Sequence, residues 1–318
     1  MKEQIPAISV ISPVYNESSN LQELIKRLHK TLQNMSVSYE IIAVDDGSSD
    51  DSYTQLSVLK QTIPVLRIIQ FKHNFGQTAA LSAGIEYSLG EIIVTIDSDL
   101  ENHPEDIPRL VAKLQEGYDV VSGWRKGRWH GALFTRQIPS ITANWIISKL
   151  TGVHLHDYGC TLKAYHRDII KNVRLYGEMH RFIPAYAAWQ GGKISELPVK
   201  YSSRVHGVSK YGFGRVTHVL LDLVVLVFLH RYMNRPMHFF GSWGLWSLFL
   251  GFIAGISAIL LRLLNIKHIV DTPLPILSAL LIIIGVQLVL FGVIAEMLMR
   301  TYYESQGRRP YVIKNEEQ

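Results

Sequence analysis

The sequence predicts an α/β domain with a mostly parallel sheet, followed by an interfacial helix and two membrane-spanning helices. Three observations carry this expectation. Short β-branched runs alternate with amphipathic stretches up to about residue 122, acidic residues close several of those runs, and two long C-terminal runs hold no charged side chain. A length of 318 residues allows about two ordinary domains. A mean hydropathy of +0.11 alongside only 19% charged residues requires the apolar excess to be localised.

The run AISVISPVY opens the pattern, followed by a helix from about Asn20 to Gln33, the strand EIIAVDD, a helix near Asp51 to Lys60 and the strand VLRIIQF. A helix over Gln77 to Ser88, the strand EIIVTID, a helix over Pro104 to Glu116 and the strand DVVSGW complete it. Nearly continuous apolar strands separated by helices suit a sheet covered on both faces. Ligands of such sheets bind beyond the carboxyl ends of the strands. Those ends read Pro13-Val14-Tyr15-Asn16-Glu17, Asp45-Asp46-Gly47-Ser48-Ser49-Asp50, His73-Asn74-Phe75-Gly76 and Asp97-Ser98-Asp99.

From Trp124 to about Gly214 the alternation weakens into scattered tryptophans, glycines and basic residues with helices such as Ile138 to Leu150, and an acceptor-side subdomain is expected. Residues 215–233 are strongly apolar yet include Arg215, His218, Asp222 and His230, which suits an interfacial helix, a buried core helix being the alternative. Residues 239–261 and 274–295 can each cross ~30 Å of hydrocarbon as helix. The expected division is a catalytic domain over 1–214, an interfacial region over 215–238, a transmembrane hairpin over 239–299 and a tail over 300–318.

One cysteine forms no intramolecular disulfide, so the catalytic domain needs no oxidising compartment. The run Ile5 to Val14 carries two prolines and no cleavage-site pattern, and the N-terminal domain is expected to stay where it is made. Arg215, Arg231, Arg235, Arg300, Arg308, Arg309 and Lys314 lie outside the hairpin, whereas its connecting loop holds Arg262 and Lys267. Both termini are therefore expected in the cytoplasm, with the protein integral to the plasma (inner) membrane. A net charge of +5 is too mild to argue for nucleic acid, and no basic run is interleaved with aromatics. Basic residues beside the spans suit anionic lipid head groups.

Asp97-Ser98-Asp99 stands where a strand runs out, and in extended chain residues i and i+2 point the same way, so two carboxylates can converge on one cation. Hard oxygen ligands imply Mg²⁺ or Mn²⁺. The plainer reading is a loop that caps the helix beginning at Pro104. At Asp45 to Asp50 an Asx turn competes with a carboxylate that accepts hydrogen bonds from a nucleobase or ribose. The first βα turn has no glycine, so there is no G-x-G-x-x-G, and no G-x-x-x-x-G-K-[ST] occurs anywhere. Asp157 lies in His156-Asp157-Tyr158-Gly159-Cys160, where a structural turn is the bland account, and Cys160 reads as a small buried residue. No H-E-x-x-H exists to support zinc hydrolysis. The stretch Arg204 to Arg215 is basic and glycine-rich, either a solvated linker or a loop that holds a phosphate at the membrane surface.

At these residues the chain resembles family 2 glycosyltransferases of the GT-A fold, and within them the polyprenyl-phosphate glycosyltransferases, which include dolichyl-phosphate mannose synthases and bactoprenol glucosyltransferases. The matching stretches are SVISPVYNES, AVDDGSSDDS, HNFGQTAAL, DSDLENHPE, HDYGCTLKAY and RVHGVSKYG, in the family's order and followed by a membrane hairpin. The resemblance implies that Pro13, Tyr15, Glu17, Asp46 and Asp97 line the nucleotide-sugar site and that Asp97 and Asp99 serve the metal. It also implies that Asp157 is catalytic on the acceptor side and that Arg204, Ser209 and Lys210 contact phosphates. Arg125, just past DVVSGW, joins them as a candidate phosphate or acceptor ligand. The usual D-x-D-L-Q-[DH]-P is here Asp97 to Pro104, with Glu101 for Gln and one residue more before the proline.

The implied reaction is inverting transfer of a sugar, glucose from UDP-glucose by this resemblance, to undecaprenyl or a similar polyprenyl phosphate, with GDP-mannose the alternative donor. A homo-oligomer is compatible with this. A processive polysaccharide synthase is disfavoured by the absence of Q-x-x-R-W and by having only two spans, and a non-enzymatic nucleotide-binding scaffold by the intact acidic set.

Overall fold

The computed structural model describes residues 5–126, 128, 138–171, 173, 177, 179–202, 214–232, 235–266, 268 and 271–306. The chain divides into two compact units, Met1–Leu223 and Val224–Gln318. The first unit holds a seven-stranded sheet of β1 (Ile8–Val14), β2 (Tyr39–Asp45), β3 (Leu66–Gln70), β4 (Ile92–Thr95), β5 (Val120–Trp124), β6 (Lys163–His166) and β7 (Ile194–Pro198). Its order is β3-β2-β1-β4-β6-β5-β7. Helices α1 (Ser18–Asn34), α2 (Ser52–Thr62), α3 (Gln77–Tyr87) and α4 (Ile107–Gln115) follow strands 1 to 4 as the alternation predicts. Then come α5 (Ile138–Thr151), the one-turn α6 (Arg167–Ile170) and α7 (Ile183–Trp189).

Strand β1 is buried at every residue, lying between parallel β2 and β4, which is why its sequence does not alternate. Helix α1 buries Leu21, Leu24, Ile25, Leu28 and Leu32, an apolar stripe at helical spacing that packs into the main core. The helix expected over Pro104 to Glu116 is divided into a 3₁₀ turn at Pro104–Asp106 and α4. Pro108 explains the restart, because a proline without an N–H fits the first turn of an α-helix and no later position.

The feature that positions the site is β6. It pairs antiparallel with β4 and with β5, with Lys163 opposite both Thr95 and Ser122. An antiparallel strand begins at the edge where its parallel neighbours end. The segment before β6, residues 156–161, is thereby delivered to the carboxyl edge of the sheet beside the end of β4.

Helix α8 (Gly214–Tyr232) buries Leu223 and Leu226 and exposes Leu221, Val224 and Val225. In the second unit α9 (Pro236–Leu263) and α10 (Leu274–Gln306) form an antiparallel pair. Each contains a stretch long and apolar enough to cross a membrane, Pro236–Leu263 and Leu274–Thr301. Their contact runs along small residues. A Cβ on Gly285 would meet the Gly244 carbonyl oxygen at 2.9 Å and Leu248 Cγ at 2.6 Å. Ser247 Oγ donates to the Leu281 carbonyl at 2.7 Å, and Ser278 Oγ to that of Gly251 at 2.8 Å. Trp243, Trp246, Phe249 and Phe252 are exposed on α9, the arrangement expected of a lipid-facing surface.

Candidate active site

The loops after β1 and β2 are stitched to each other. Asn16 N–H donates to Ser48 Oγ at 3.0 Å, Ser49 N–H to Asn16 Oδ1 at 2.8 Å, Glu17 N–H to Ser52 Oγ at 3.0 Å and Ser18 N–H to Asp50 Oδ2 at 3.1 Å. Asn16 takes a positive φ of 54°, which asparagine tolerates better than most residues. Pro13, Tyr15, Glu17 and Asp46 are thus brought to one edge of the sheet, as the sequence predicts.

Asp46 is buried, and its carboxylate grips the loop after β3. It accepts from Phe75 N–H at 2.7 Å, Gly76 N–H at 2.9 Å and Asn74 Nδ2 at 2.9 Å. Burial pushes this carboxyl up, while the Phe75 and Gly76 amides pull it back. With three of about four acceptor sites engaged, Asp46 organises the His73–Gly76 loop and keeps room for roughly one further donor. Gly47 makes the contact possible. At φ +66° it lets the chain pass His73, and a Cβ there would lie 2.4 Å from the His73 carbonyl carbon.

Asp97 and Asp99 follow β4. Gln77 Nε2, from the first turn of α3, donates to Asp97 Oδ1 at 2.7 Å. Glu101 N–H donates to Asp99 Oδ1 at 3.1 Å across a turn in which Leu100 has φ +59°. Such a conformation in a leucine marks a tightly determined loop. The Asp97 carboxyl is pushed up to about 6, first by burial and then by the charge of Asp99. A buried carboxyl raised by a neighbouring carboxylate is short of positive charge, and such a place suits a hard divalent cation. Among the described residues no group of three or more metal-ligating side chains forms. The oxygen donors present fit a hard divalent cation, which Asp97 and Asp99 would hold.

Asp157 sits on the segment leading into β6, beside Arg125 at the end of β5. Arg125 Nε donates to Asp157 Oδ2 at 2.8 Å and Nη2 to Oδ1 at 3.1 Å, a two-pronged pair in which the arginine side chain is 2% exposed. Gly159 N–H adds a bond to Oδ1 at 3.1 Å. Burial alone would raise the Asp157 carboxyl, but the Arg125 charge and hydrogen bonds hold it below the usual carboxylate range. Arg125 also lies 3.5 Å from Glu101 Oε2, which Arg128 Nη2 approaches at the same distance. Glu101 therefore meets two guanidinium groups, linking the loop after β4 to the end of β5. Arg125, read from sequence as a phosphate or acceptor ligand, is engaged with these two carboxylates. Cys160 is buried with its thiol pushed up to about 11 by burial, the state of an inert side chain. Arg204, Ser209 and Lys210 lie outside the described residues.

Sequence reasoning missed Gln77 and Glu196, and it missed Lys163, which is 2% exposed and whose ammonium donates to the Tyr158 and Cys160 carbonyls beneath the same turn. Gln77 had a usable signal, since it directly follows a strand-end loop and opens a helix. The other two lie on strands that the fading alternation concealed.

A carboxylate pair ending one strand, a second acidic strand end locked to a loop, and an acidic residue supplied by an antiparallel insertion thus meet at the carboxyl edge of one sheet. The profile of glycosyl transferase family 2 matches residues 9–174. The dodecaprenyl-phosphate galacturonate synthase of Rhizobium johnstonii is 42% identical over 311 residues, covering 96% of this chain and 92% of that protein. The undecaprenyl-phosphate 4-deoxy-4-formamido-L-arabinose transferase of Shewanella sediminis is 35% identical, covering 98% and 93%. In fold the chain is similar to glucosyl-3-phosphoglycerate synthase from Mycobacterium tuberculosis, crystallised with Mn²⁺, UDP and phosphoglyceric acid. The TM-score is 0.54 at 18% identity, over 71% of this chain and 78% of that one. The chain belongs to glycosyl transferase family 2 and is a glycosyltransferase.

Proposed function

We propose that the protein transfers a sugar from a nucleoside-diphosphate sugar to a polyprenyl phosphate, with inversion, at the cytoplasmic face of the membrane. The observation that carries the reading is the joining of the Asp97–Asp99 pair to the Arg125–Asp157 pair through Glu101, in a chain with two helices able to span a bilayer. The polyprenyl-phosphate relatives support the acceptor.

In the reaction a phosphate oxygen of the acceptor attacks the anomeric carbon, the bond from that carbon to the donor diphosphate breaks, and the nucleoside diphosphate leaves with the electron pair. A phosphate monoester with a second pKa near ~6 is largely dianionic at neutral pH and has no proton to lose. Asp157, held ionised by Arg125, accordingly acts by orienting the acceptor. Asp97 and Asp99 would hold a divalent ion, which supplies neutralisation of the departing diphosphate. Arg204 and Lys210 would offset the repulsion between the two anionic substrates, and Pro13, Tyr15 and Glu17 would line the nucleoside.

The donor we infer is UDP-linked. Galacturonate as the sugar is supported by the 42% identity to a galacturonate synthase over nearly the whole chain. Glucose, the expectation from motif order and the two-span tail, is the second reading. The test is incubation of purified protein with Mg²⁺ or Mn²⁺, undecaprenyl phosphate and separate UDP-galacturonate, UDP-glucose, UDP-4-deoxy-4-formamido-L-arabinose and GDP-mannose, with lipid-linked product read by mass. A uronate-bearing lipid phosphate is expected. Absence of lipid product with every donor would overturn the reading.

A further inference from the structure

Strand β7 carries a carboxylate, Glu196, whose side chain is only 11% exposed. It reaches the segment before β6. Its Oε1 accepts from the backbone N–H groups of His156 and Asp157, each at 3.0 Å, and its Oε2 from His156 N–H at 3.1 Å, with His156 Nδ1 2.7 Å away. The His156 ring stacks on Trp124 with centroids 4.3 Å apart, and the next residue, Arg125, holds the Asp157 carboxylate. Asp157 is therefore gripped twice, by its side chain from β5 and by its main chain from β7.

Two successive backbone N–H groups meet this one side chain, so its acceptor oxygens fix the peptide planes on both sides of His156. We propose that Glu196 is a positioning residue for the acceptor side of the site. It fixes the main chain at Asp157, so that the Arg125–Asp157 pair meets the acceptor phosphate in one geometry. The inference rests on the reading of Asp157 as the acceptor-side residue.

The test uses the full chain with undecaprenyl phosphate and the nucleotide-sugar that the native protein turns over. Glu196→Ala is expected to raise the acceptor KM about tenfold while the donor KM stays within about twofold, and Glu196→Gln, whose amide oxygen still accepts, to stay within about threefold of native. In an Asp157→Asn background Glu196→Ala should add less than about twofold, because its effect passes through Asp157. Equal losses with and without Asp157, or a donor KM that rises as far as the acceptor KM, would overturn the assignment. Should the alanine variant fail to fold, Glu196→Asp, one methylene too short to reach both amides, is expected to show the same kinetic pattern. Hydrogen exchange of residues 154–160 provides a readout independent of turnover. It should quicken in Glu196→Ala and stay near native in Glu196→Gln, and unchanged exchange in the alanine variant would sink the positioning role. If the native protein transfers no sugar, the functional reading fails while the exchange comparison still decides whether Glu196 holds the segment.

Discussion

Two carboxylates in this site are prepared for opposite tasks by their surroundings. Asp97, buried beside Asp99, is pushed up to about 6, whereas Asp157 is held low by Arg125. On the proposed metal role Asp99→Asn removes one of two anionic ligands, so turnover should fall at least about a hundredfold with the fold intact, and a Mg²⁺ or Mn²⁺ titration should not restore it. Full activity at high metal would refute the ligand assignment. For Asp157 the sign of the linkage is fixed by the direction of its shift. A carboxyl lowered in the folded state contributes stability above its unfolded value near ~3.9, and that contribution is lost only as pH falls through the still lower folded value. Between pH 5 and 8 Asp157 therefore does not titrate. The acid limb of the rate profile is expected near ~6, where the acceptor phosphate takes up a proton. Asp157→Asn should slow the reaction strongly, leave nucleotide-sugar affinity within a few-fold by calorimetry, and keep that acid limb. Disappearance of the limb in the variant would make Asp157 the base.

At the scale of elements, the loops beyond the carboxyl ends of β1 to β4 act as one assembly because side chains and amides from one loop satisfy those of the next. The tightest seam is Gly47 against His73 and Asn74. Gly47→Ala meets both a positive φ and backbone atoms that cannot step aside, and should lower stability by about 2 kcal/mol or more, seen as a fall of about 5 °C in Tm. Gly152, at φ +76° with open space where a Cβ would stand, supplies the comparison. Gly152→Ala carries the backbone strain alone and should cost about half as much. Equal shifts in the two variants would remove the steric role of the seam. The strands and helices on either side of these loops follow from apolar runs and helical stripes, so β1 to β5 and α1 to α4 are legible in sequence to within a few residues. Strands β6 and β7 are not. Each is short and flanked by turns and basic residues, and each becomes a strand only through its neighbours, β6 between β4 and β5 and β7 against β5 at the sheet edge.

For the whole molecule, the excess of basic residues outside the hairpin predicts that the catalytic unit and the C-terminal tail share one side of the membrane. Cysteine probes at Asn265 and Gln306, with Cys160 replaced, should label from opposite sides with an impermeant maleimide. Labelling of both from the same side would exclude a two-span hairpin. Donor choice belongs to this scale as well, because a pocket that hydrogen-bonds one base edge leaves buried groups unpaired with another. UDP should compete with the donor at least about tenfold better than GDP, equivalent to about 1.4 kcal/mol. Stronger inhibition by GDP would move the protein to a mannosyl donor with its lipid acceptor unchanged.

The parallel half of the sheet, the acidic strand ends and the two long apolar helices can be read along the chain. Each depends on residues close in the chain, where a period of two or of 3.6, a run of uncharged side chains or a carboxylate after a strand is visible locally. The surroundings of Asp157, by contrast, depend on strand order. The antiparallel insertion of β6 carries Asp157 to the edge where β4 ends, β5 supplies Arg125 to hold its carboxylate, and β7 supplies Glu196 to hold its main chain. Arg125 and Glu196 lie 32 and 39 positions from the residues they grip. No local period records such a contact, because hydrogen bonds and charge act through space and strand order alone sets which residues meet.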